Sequence, residues 1–559
     1  MNFEDIIKHH QHNQHSTKLA LAATEIKYLP KEIDPLGIVN TGSGGGLSRI
    51  MATLGEATYA AGFDTKFIIP EYYDLFRKNS PNMTDKEFAE AFNELAMHPS
   101  VHFVDDGLFT NATKVYGDYS YNLNKIDTRR AIHFSKGIVR ASRQINRTYP
   151  KATKIFQLNE WSTALAVAPI KEYDIFGKTK VEMKYHNFHS EISPLFKVTK
   201  QGFNTQKYYE KLFYENSFPS GNHGKDMYEL YVNFLLSGMF PADLISTVSV
   251  QYLNEGIARA ISDNWNLIND YPVLKQIKDQ MDAGVLQPDS VMSGKMAWMI
   301  ADKFIHGRAK AVSNRLESTS NSEIDPNLPE EFRYGTENML EGKNKAKLHL
   351  QQISGLEVGL EHGLGGWANR FNFDDVQKGL KQYFPVLYKF LKNNPSMQQI
   401  FTCDIHPNSQ KDFDDFRRAL PGQVGHLTFS NANESLMMAA VDRIDLPSVY
   451  EPGGYPNKTG TIYGGLPMVR NTGGLAETID YTMNPNTFTG FKFNNLDEGG
   501  IMYGLNSFKH FFEQGPDFRF NHLRRIREKA LIDENPARLV EDYIPIWEEM
   551  IGEKIILRD

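Results

Sequence analysis

PLGIVNTGSGGGLSRIMATLGEATYAAGFDTKFIIP, Pro35 to Pro70, is the stretch from which the fold is read. PLGIVN (35–40) reads as a short buried strand. Four glycines then fall within five positions, 42–46. Beyond them Leu47, Ile50, Met51, Leu54, Ala57 and Ala61 recur at helical spacing. Gly62 closes that helix, and FDTKFIIP (63–70) reads as the next strand. A strand, a glycine loop, a helix and a second strand form a β-loop-α-β unit, which predicts a parallel sheet. Glycines let a backbone approach an anion closely, and the free N–H groups of a helix start favour negative charge. A tight strand-to-helix turn without a ligand would use the same residues. Two specific phosphate signatures are absent. A G-x-G-x-x-G fingerprint begun at Gly42 meets Leu47 in its last position, and one begun at Gly44 meets Arg49. The Gly-Lys-Ser/Thr ending of a P-loop is missing as well.

The same pattern continues along the chain. KIFQLNEW (154–161), VEMKYHNFH (181–189) and DLISTVS (243–249) read as strands, the last leading into a helix at 250–262. LESTSNSEIDPNLPEE (316–331), rich in Ser, Asn and Pro, marks an interdomain connection. After it Leu380, Phe384, Leu387 and Leu391 mark a helix. MQQIFTCDI (397–405), HLTFS (426–430) and GLPMVRN (465–471) read as strands, and PARLVEDYIPIWEEM (536–550) as an amphipathic last helix. The expectation is an α/β protein with two Rossmann-like domains whose parallel sheets face a deep interdomain cleft. The first domain covers 1–320, with 1–33 as an N-terminal extension. The second covers 321–530, and a helix in 531–559 packs back on the first. In open parallel sheets ligands sit at the carboxyl ends of the strands, so residues there carry the chemistry.

Composition narrows the function classes. Of 559 residues 41% are apolar, and the net charge is −7, so no basic field gathers nucleic acid or anionic membrane. Cys403 is the single cysteine, so no intrachain disulfide forms and a reducing compartment is expected. No apolar run reaches the length of a membrane span, and the first residues lack the pattern of a cleaved signal. The expected location is cytoplasmic, with signal-independent export left open. His9, His10, His12 and His15 are read as a polar, frayed terminus rather than a metal site, because no fixed ligand geometry accompanies them.

RNTGGLAETI (470–479) repeats the opening design of strand, Asn-Thr-Gly, Gly-Gly-Leu and helix, so each half of the chain presents one such loop. Around these loops a family resemblance emerges, dispersed from about 37 to 480. The carriers are GGLSRIMATLGEATYAAGFDTKFIIPEY, FQLNEWSTALAVAPI (156–170), KYHNFH (184–189), FLLSGMFPADLISTVSVQY (234–252), GKNKAKLHLQ (342–351) and NRFNFDDVQKGL (369–380). Most specific is VYEPGGYPNKTGTIYGGLPMVRNTGGLAET (449–478), with Glu-Pro-x-Gly, Tyr-Gly-x-x-Pro and Thr-Gly-Gly-Leu in order. The chain resembles the bacterial glycogen and plant starch synthases, retaining glycosyltransferases of the GT-B fold.

The resemblance implies site residues. Arg370 and Lys378 match the pair that meets the donor diphosphate, where fixed cations neutralise leaving-group charge. Glu451 matches the glutamate beside the donor sugar. Tyr463, Thr472, Gly473, Gly474 and Leu475 match the donor loop, and Gly44, Gly45 and Gly46 the first-domain glycines facing the diphosphate. Asn159, Glu160, Trp161, His186 and Asn187 match the acceptor side. The chain also departs from the family. Ser43 replaces a lysine, Asn159 and Gln157 replace histidines, and Gly453 replaces a cysteine. Extra residues separate Arg370 from Gln-Lys-Gly. Asp127 corresponds either to a first-domain aspartate of the family or to a helix N-cap.

The implied reaction is transfer of a hexose, most simply glucose, from a nucleoside diphosphate sugar such as UDP-glucose or ADP-glucose, with retention and without a metal or other cofactor. Asp-Phe-Asp at 412–414 has the form of a metal motif, but it sits in KDFDDFRRAL, where a charged helix face accounts for it. The expected acceptor is an α-1,4-glucan. A protein or small-molecule acceptor, and a catalytically inactive scaffold that binds glycan or a partner, are the alternatives.

Overall fold

A computed structural model describes residues 16–41, 46–115, 128–216, 229–481 and 487–558. The chain divides into two compact units. The first holds residues up to 248, 253–315 and 536–559, and the second holds 249–252 and 316–535.

The first unit carries β1 (Lys18–Ala22), β2 (Asp64–Pro70), β3 (Val101–Val104), β4 (Lys154–Asn159) and β5 (Thr179–Lys184). A short antiparallel pair, β6 (Ile192–Pro194) and β7 (Tyr231–Asn233), follows, then β8 (Leu244–Thr247) and β9 (Ala309–Ala311). Its main sheet is parallel, in the order β3-β2-β1-β4-β5-β8-β9. Leu21 of β1 pairs with Phe67 on one side and Gln157 on the other. The chain reverses direction across the sheet at β1 and β4, which makes their carboxyl ends a switch point.

One sequence expectation is corrected here. The central strand is KLALA at 18–22, within the stretch expected to be an extension, and PLGIVN at 35–40 is not a strand. The reason is where the backbone donors go. Ile38 and Val39 donate their N–H groups to the Asp34 carboxylate at 2.9 and 2.8 Å, so they are turned away from a ladder. Charged residues disguise β1 and its neighbours. Lys18 is fully buried, and its amine reaches Asp64 at 2.6 Å. Lys66 joins the same carboxylate at 2.8 Å. The helix Gly46–Ala60 and β2 run as the periodicity predicts, with Gly62 in the left-handed region after the helix.

The helix Ala537–Ile551 belongs to the first unit and closes its core. Tyr543 and Trp547 stack at 4.5 Å, and Trp547 meets Phe63 edge-on at 5.6 Å. Trp547 donates to Glu182 at 2.7 Å and Lys184 to the Tyr543 hydroxyl at 2.6 Å, so this helix satisfies two buried charges of β5.

The second unit carries β10 (Gly363–Trp367), β11 (Met397–Thr402), β12 (Val424–Leu427), β13 (Arg443–Leu446), β14 (Leu466–Arg470) and β15 (Phe491–Phe493). All pair in parallel, in the order β12-β11-β10-β13-β14-β15, so β10 and β13 form its switch point. The strand expected at 426–430 lies at 424–427, and the chain leaves it to cap the helix Asn431–Ala440 with Ser430. The Asp412–Asp414 motif falls on the helix Gln410–Ala419, whose Phe413 and Phe416 are buried. Among the described residues no helix is long and apolar enough to cross a membrane, and no group of three or more His, Cys, Asp or Glu is placed to hold a metal ion.

Candidate active site

At the switch point of the second sheet, β10 runs into Asn369 and Arg370, and β13 into Ser448 and Glu451. The loop after Arg370 is a series of side-chain-stabilised turns. Asp374 donates its N–H to the Asn372 side chain at 3.0 Å, and Gln377 to that of Asp375 at 3.0 Å. Asp375 in turn holds the Arg370 guanidinium at 2.9 Å. The residues that lengthen this motif thus orient its arginine, whose side chain keeps 44% exposure.

The loop docks on the strand beside it. Val449 donates its N–H to the Gln377 carbonyl at 2.8 Å. Gly379 sits at φ +66°, and a Cβ there would strike the Pro447 carbonyl oxygen, so glycine is required. This docking brings Lys378 to Glu451, Nζ to Oε2 2.7 Å, with side chains 13% and 10% exposed. Ser448 Oγ donates to the same Oε2 at 3.0 Å. From the far side Gly474 donates its N–H to the Glu451 carbonyl at 2.9 Å. Gly473 takes φ +48° against that carbonyl, where no side chain fits. Lys378, Glu451, Gly473 and Gly474 therefore form one locked cluster. Thr472 and Leu475 flank it and are buried.

In the first unit, Asn159 ends β4 fully buried and donates through Nδ2 to the Ala22 carbonyl at the end of β1, 3.2 Å away. Its Oδ1 then faces His186 Nε2 at 3.0 Å. This pattern assigns the ring hydrogen to Nε2 and leaves Nδ1 as an acceptor. Nδ1 is buried and has no partner among the described residues. Glu160, the next residue, has φ +66°, which among the described residues makes it the one non-glycine in the left-handed region. That turn points its carboxyl back to accept the His186 N–H at 2.8 Å, and the Asn187 N–H bonds it as well.

A sequence profile described as the starch synthase catalytic domain matches residues 26–263. A glycogen synthase of Thermodesulfovibrio yellowstonii is 23% identical over 542 residues, covering 91% of this chain and 95% of that one. A glycogen synthase of Finegoldia magna is 23% identical over 549 residues, covering 94% and 100%. The solved catalytic domain of starch synthase IV from Arabidopsis thaliana, bound to ADP and acarbose, superposes with a TM-score of 0.68 at 18% identity, covering 96% of this chain and 100% of that one. This is a glycogen/starch synthase-like glycosyltransferase. Its fold is GT-B.

The electrostatics of the transferase separate its two groups of site residues. Burial raises the Glu160 carboxyl to about 8 against the pull of its backbone donors, and nearby Glu25 adds to the rise. Burial, reinforced by Lys184, holds His186 well below its ordinary value, so the ring is neutral. Glu25, three residues past β1, was missed by motif reading. Its signal was only positional, because it follows a strand that was itself misplaced. Asn369 was missed too. Its carbonyl accepts from Trp367 Nε1 at 2.8 Å, and its own Nδ2 is buried without a partner among the described residues, one residue from Arg370.

Two of the expected site residues, Tyr463 and Trp161, are buried. Tyr463 is 1% exposed and donates its hydroxyl to Asp325 at 2.7 Å, so its side chain supports the second unit from within. Trp161 is 6% exposed and packs on Phe234 at 6.0 Å. Gln157 lies in the core and donates to Glu182 at 3.1 Å. Lys343, in the Lys-Asn-Lys segment, is internal. Its amine caps helix ends at the carbonyls of Ala439, Val441 and Tyr463, at 3.2, 2.8 and 3.1 Å, and burial lowers it to about 7. Gly46 opens the helix Gly46–Ala60. Gly44, Gly45, Ser43, Asp127 and the terminal histidines lie outside the described residues.

Proposed function

We propose that the transferase moves glucose, with retention, from a nucleoside diphosphate sugar to an α-1,4-glucan. The observation that carries this reading is the Lys378–Glu451 contact of 2.7 Å at the switch point of the second sheet. Lys378 has three N–H donors and spends one on Glu451, so two remain for oxygens of a diphosphate. Arg370 is a second fixed cation with an exposed guanidinium. Together they would neutralise the departing diphosphate as the bond to the sugar breaks. Both side-chain bonds of Glu451 fall on Oε2, leaving Oε1 for a sugar hydroxyl and for charge at an oxocarbenium-like carbon. The unpartnered Nδ2 of Asn369 is a donor beside Arg370. In the first unit the bare His186 Nδ1 suits an acceptor hydroxyl. The bound ADP and acarbose of the Arabidopsis relative fit a nucleotide donor and a glucan-like acceptor. No cofactor is needed in this scheme, because side-chain cations meet the leaving group.

A panel of nucleoside diphosphate sugars tests it by thermal shift, followed by transfer of labelled sugar to glycogen. One donor should raise the melting temperature, Arg370→Ala and Lys378→Ala should abolish the rise, and label should enter glycogen with the α-anomer retained. Binding without transfer to glycogen would point to a protein or small-molecule acceptor. No shift with any donor would favour an inactive scaffold.

A further inference from the structure

At the edge of the first sheet opposite its carboxyl ends there is a pocket of about 210 Å³. Its wall comes from the amino ends of β5, β8 and β9 and from the last turns of the helix Ala537–Ile551. Lys180, Arg308 and Lys310 supply cations, Asp243 and Glu549 supply carboxylates, and Leu244 gives an apolar floor. Both carboxylates are already engaged. Asp243 Oδ1 takes Lys171 at 2.5 Å and Lys180 at 3.9 Å, while its Oδ2 accepts the Val181 N–H at 2.9 Å. Glu549 takes Lys310 through both oxygens, at 3.0 and 2.8 Å. Arg308 makes no side-chain hydrogen bond or ion pair among the described residues, and it is exposed. Lys171, Lys180, Arg308 and Lys310 stand against two carboxylates, which leaves an excess of two positive charges.

We infer that this pocket binds a small phosphate-type dianion at a site separate from the donor residues. The volume lies below the range of about 300–1,000 Å³ that holds drug-sized ligands, so the occupant is small. The charge excess matches a phosphate group, and a free guanidinium offers the paired donors that phosphate oxygens favour. The wall also tells what binding does. The helix Ala537–Ile551 bonds Glu182 and Lys184 of β5 through Trp547 and Tyr543. An anion held between Arg308, Lys180 and the helix end adds a tie between that helix and β5, β8 and β9.

Inorganic phosphate titrated into the full-length protein, against chloride at matched ionic strength, tests the site by its effect on the melting temperature. The expected result is a saturable rise of several degrees. Arg308→Glu should remove the rise, and Lys180→Ala should weaken it, with both variants folded at low phosphate because these side chains are exposed or nearly so. The Arg370→Ala/Lys378→Ala variant, which lacks the donor cations, should retain the rise in full. Absence of a saturable rise, an unchanged rise in Arg308→Glu, or its loss in the Arg370→Ala/Lys378→Ala variant would each overturn the inference.

Discussion

Breaking the Lys378–Glu451 pair one side at a time tests the centre of the site. The charges meet at 2.7 Å with side chains 13% and 10% exposed. At an effective dielectric of about 20 the attraction between them is about 6 kcal/mol, and desolvation offsets part of it. Lys378→Met keeps the stem but leaves the Glu451 carboxylate nearly buried, with Ser448 as its remaining side-chain partner. We expect that change to cost about 3 kcal/mol, near the lower end of values for breaking buried pairs. Glu451→Gln keeps the Ser448 bond and should cost about 2 kcal/mol by stranding the lysine. Lys378→Met/Glu451→Gln removes both charges and should cost less than the two changes summed, with a coupling of about 2 kcal/mol. Urea unfolding followed by fluorine NMR of fluorotryptophan-labelled protein reads this in the correct unit. Trp367 is the sole one of the five tryptophans in the second unit, so its resonance reports that unit. All three variants should lose transfer activity, because stability and chemistry draw on the same contact. A coupling below about 0.5 kcal/mol would refute the reasoning, since the pair would then be an incidental surface contact.

Three further outcomes follow from the geometry. Gly379→Ala should destabilise the second unit by about 2–4 kcal/mol and lower transfer, because the new Cβ strikes the Pro447 carbonyl and displaces Lys378; an unchanged unfolding midpoint would contradict this. Burial raises the Glu160 carboxyl to about 8, whereas the unfolded chain ionises near 4.5, so the folded state holds an extra proton between these values. Stability therefore falls as pH rises through that window, by at most about 1.4 kcal/mol per unit, and Glu160→Gln should flatten the curve of melting temperature against pH. Parallel curves for the two proteins would rule out this titration. Trp547→Phe removes a donor at 2.7 Å from the fully buried Glu182, so it should cost about 1–3 kcal/mol, measured as a lower midpoint for the first unit.

The sequence by itself determined what depends on local pattern. The helix Gly46–Ala60, the strands β2, β4, β5, β8, β11 and β14, and the parallel α/β class follow from apolar spacing and turn chemistry. The motifs around Arg370, Lys378, Glu451 and Gly473 carry a family resemblance, and it is this resemblance, not spacing or composition, that marks those residues. Tertiary structure decided what depends on distant partners. PLGIVN is apolar enough for a strand, but the Asp34 carboxylate captures its N–H groups, and β1 is a strand because Asp64 neutralises its buried lysine. GLGGW forms β10, where its glycines leave space for Arg443 and Met437 packed against them. The same holds at the sites. Lys343 and Tyr463 look like functional motif residues, but their polar atoms are consumed by carbonyls and a carboxylate within the second unit. Glu25 acts on Glu160 only because β1 and β4 lie side by side. A residue's own neighbours in sequence set its backbone preference, whereas burial and charge are set by groups tens or hundreds of positions away, and those the fold alone brings together.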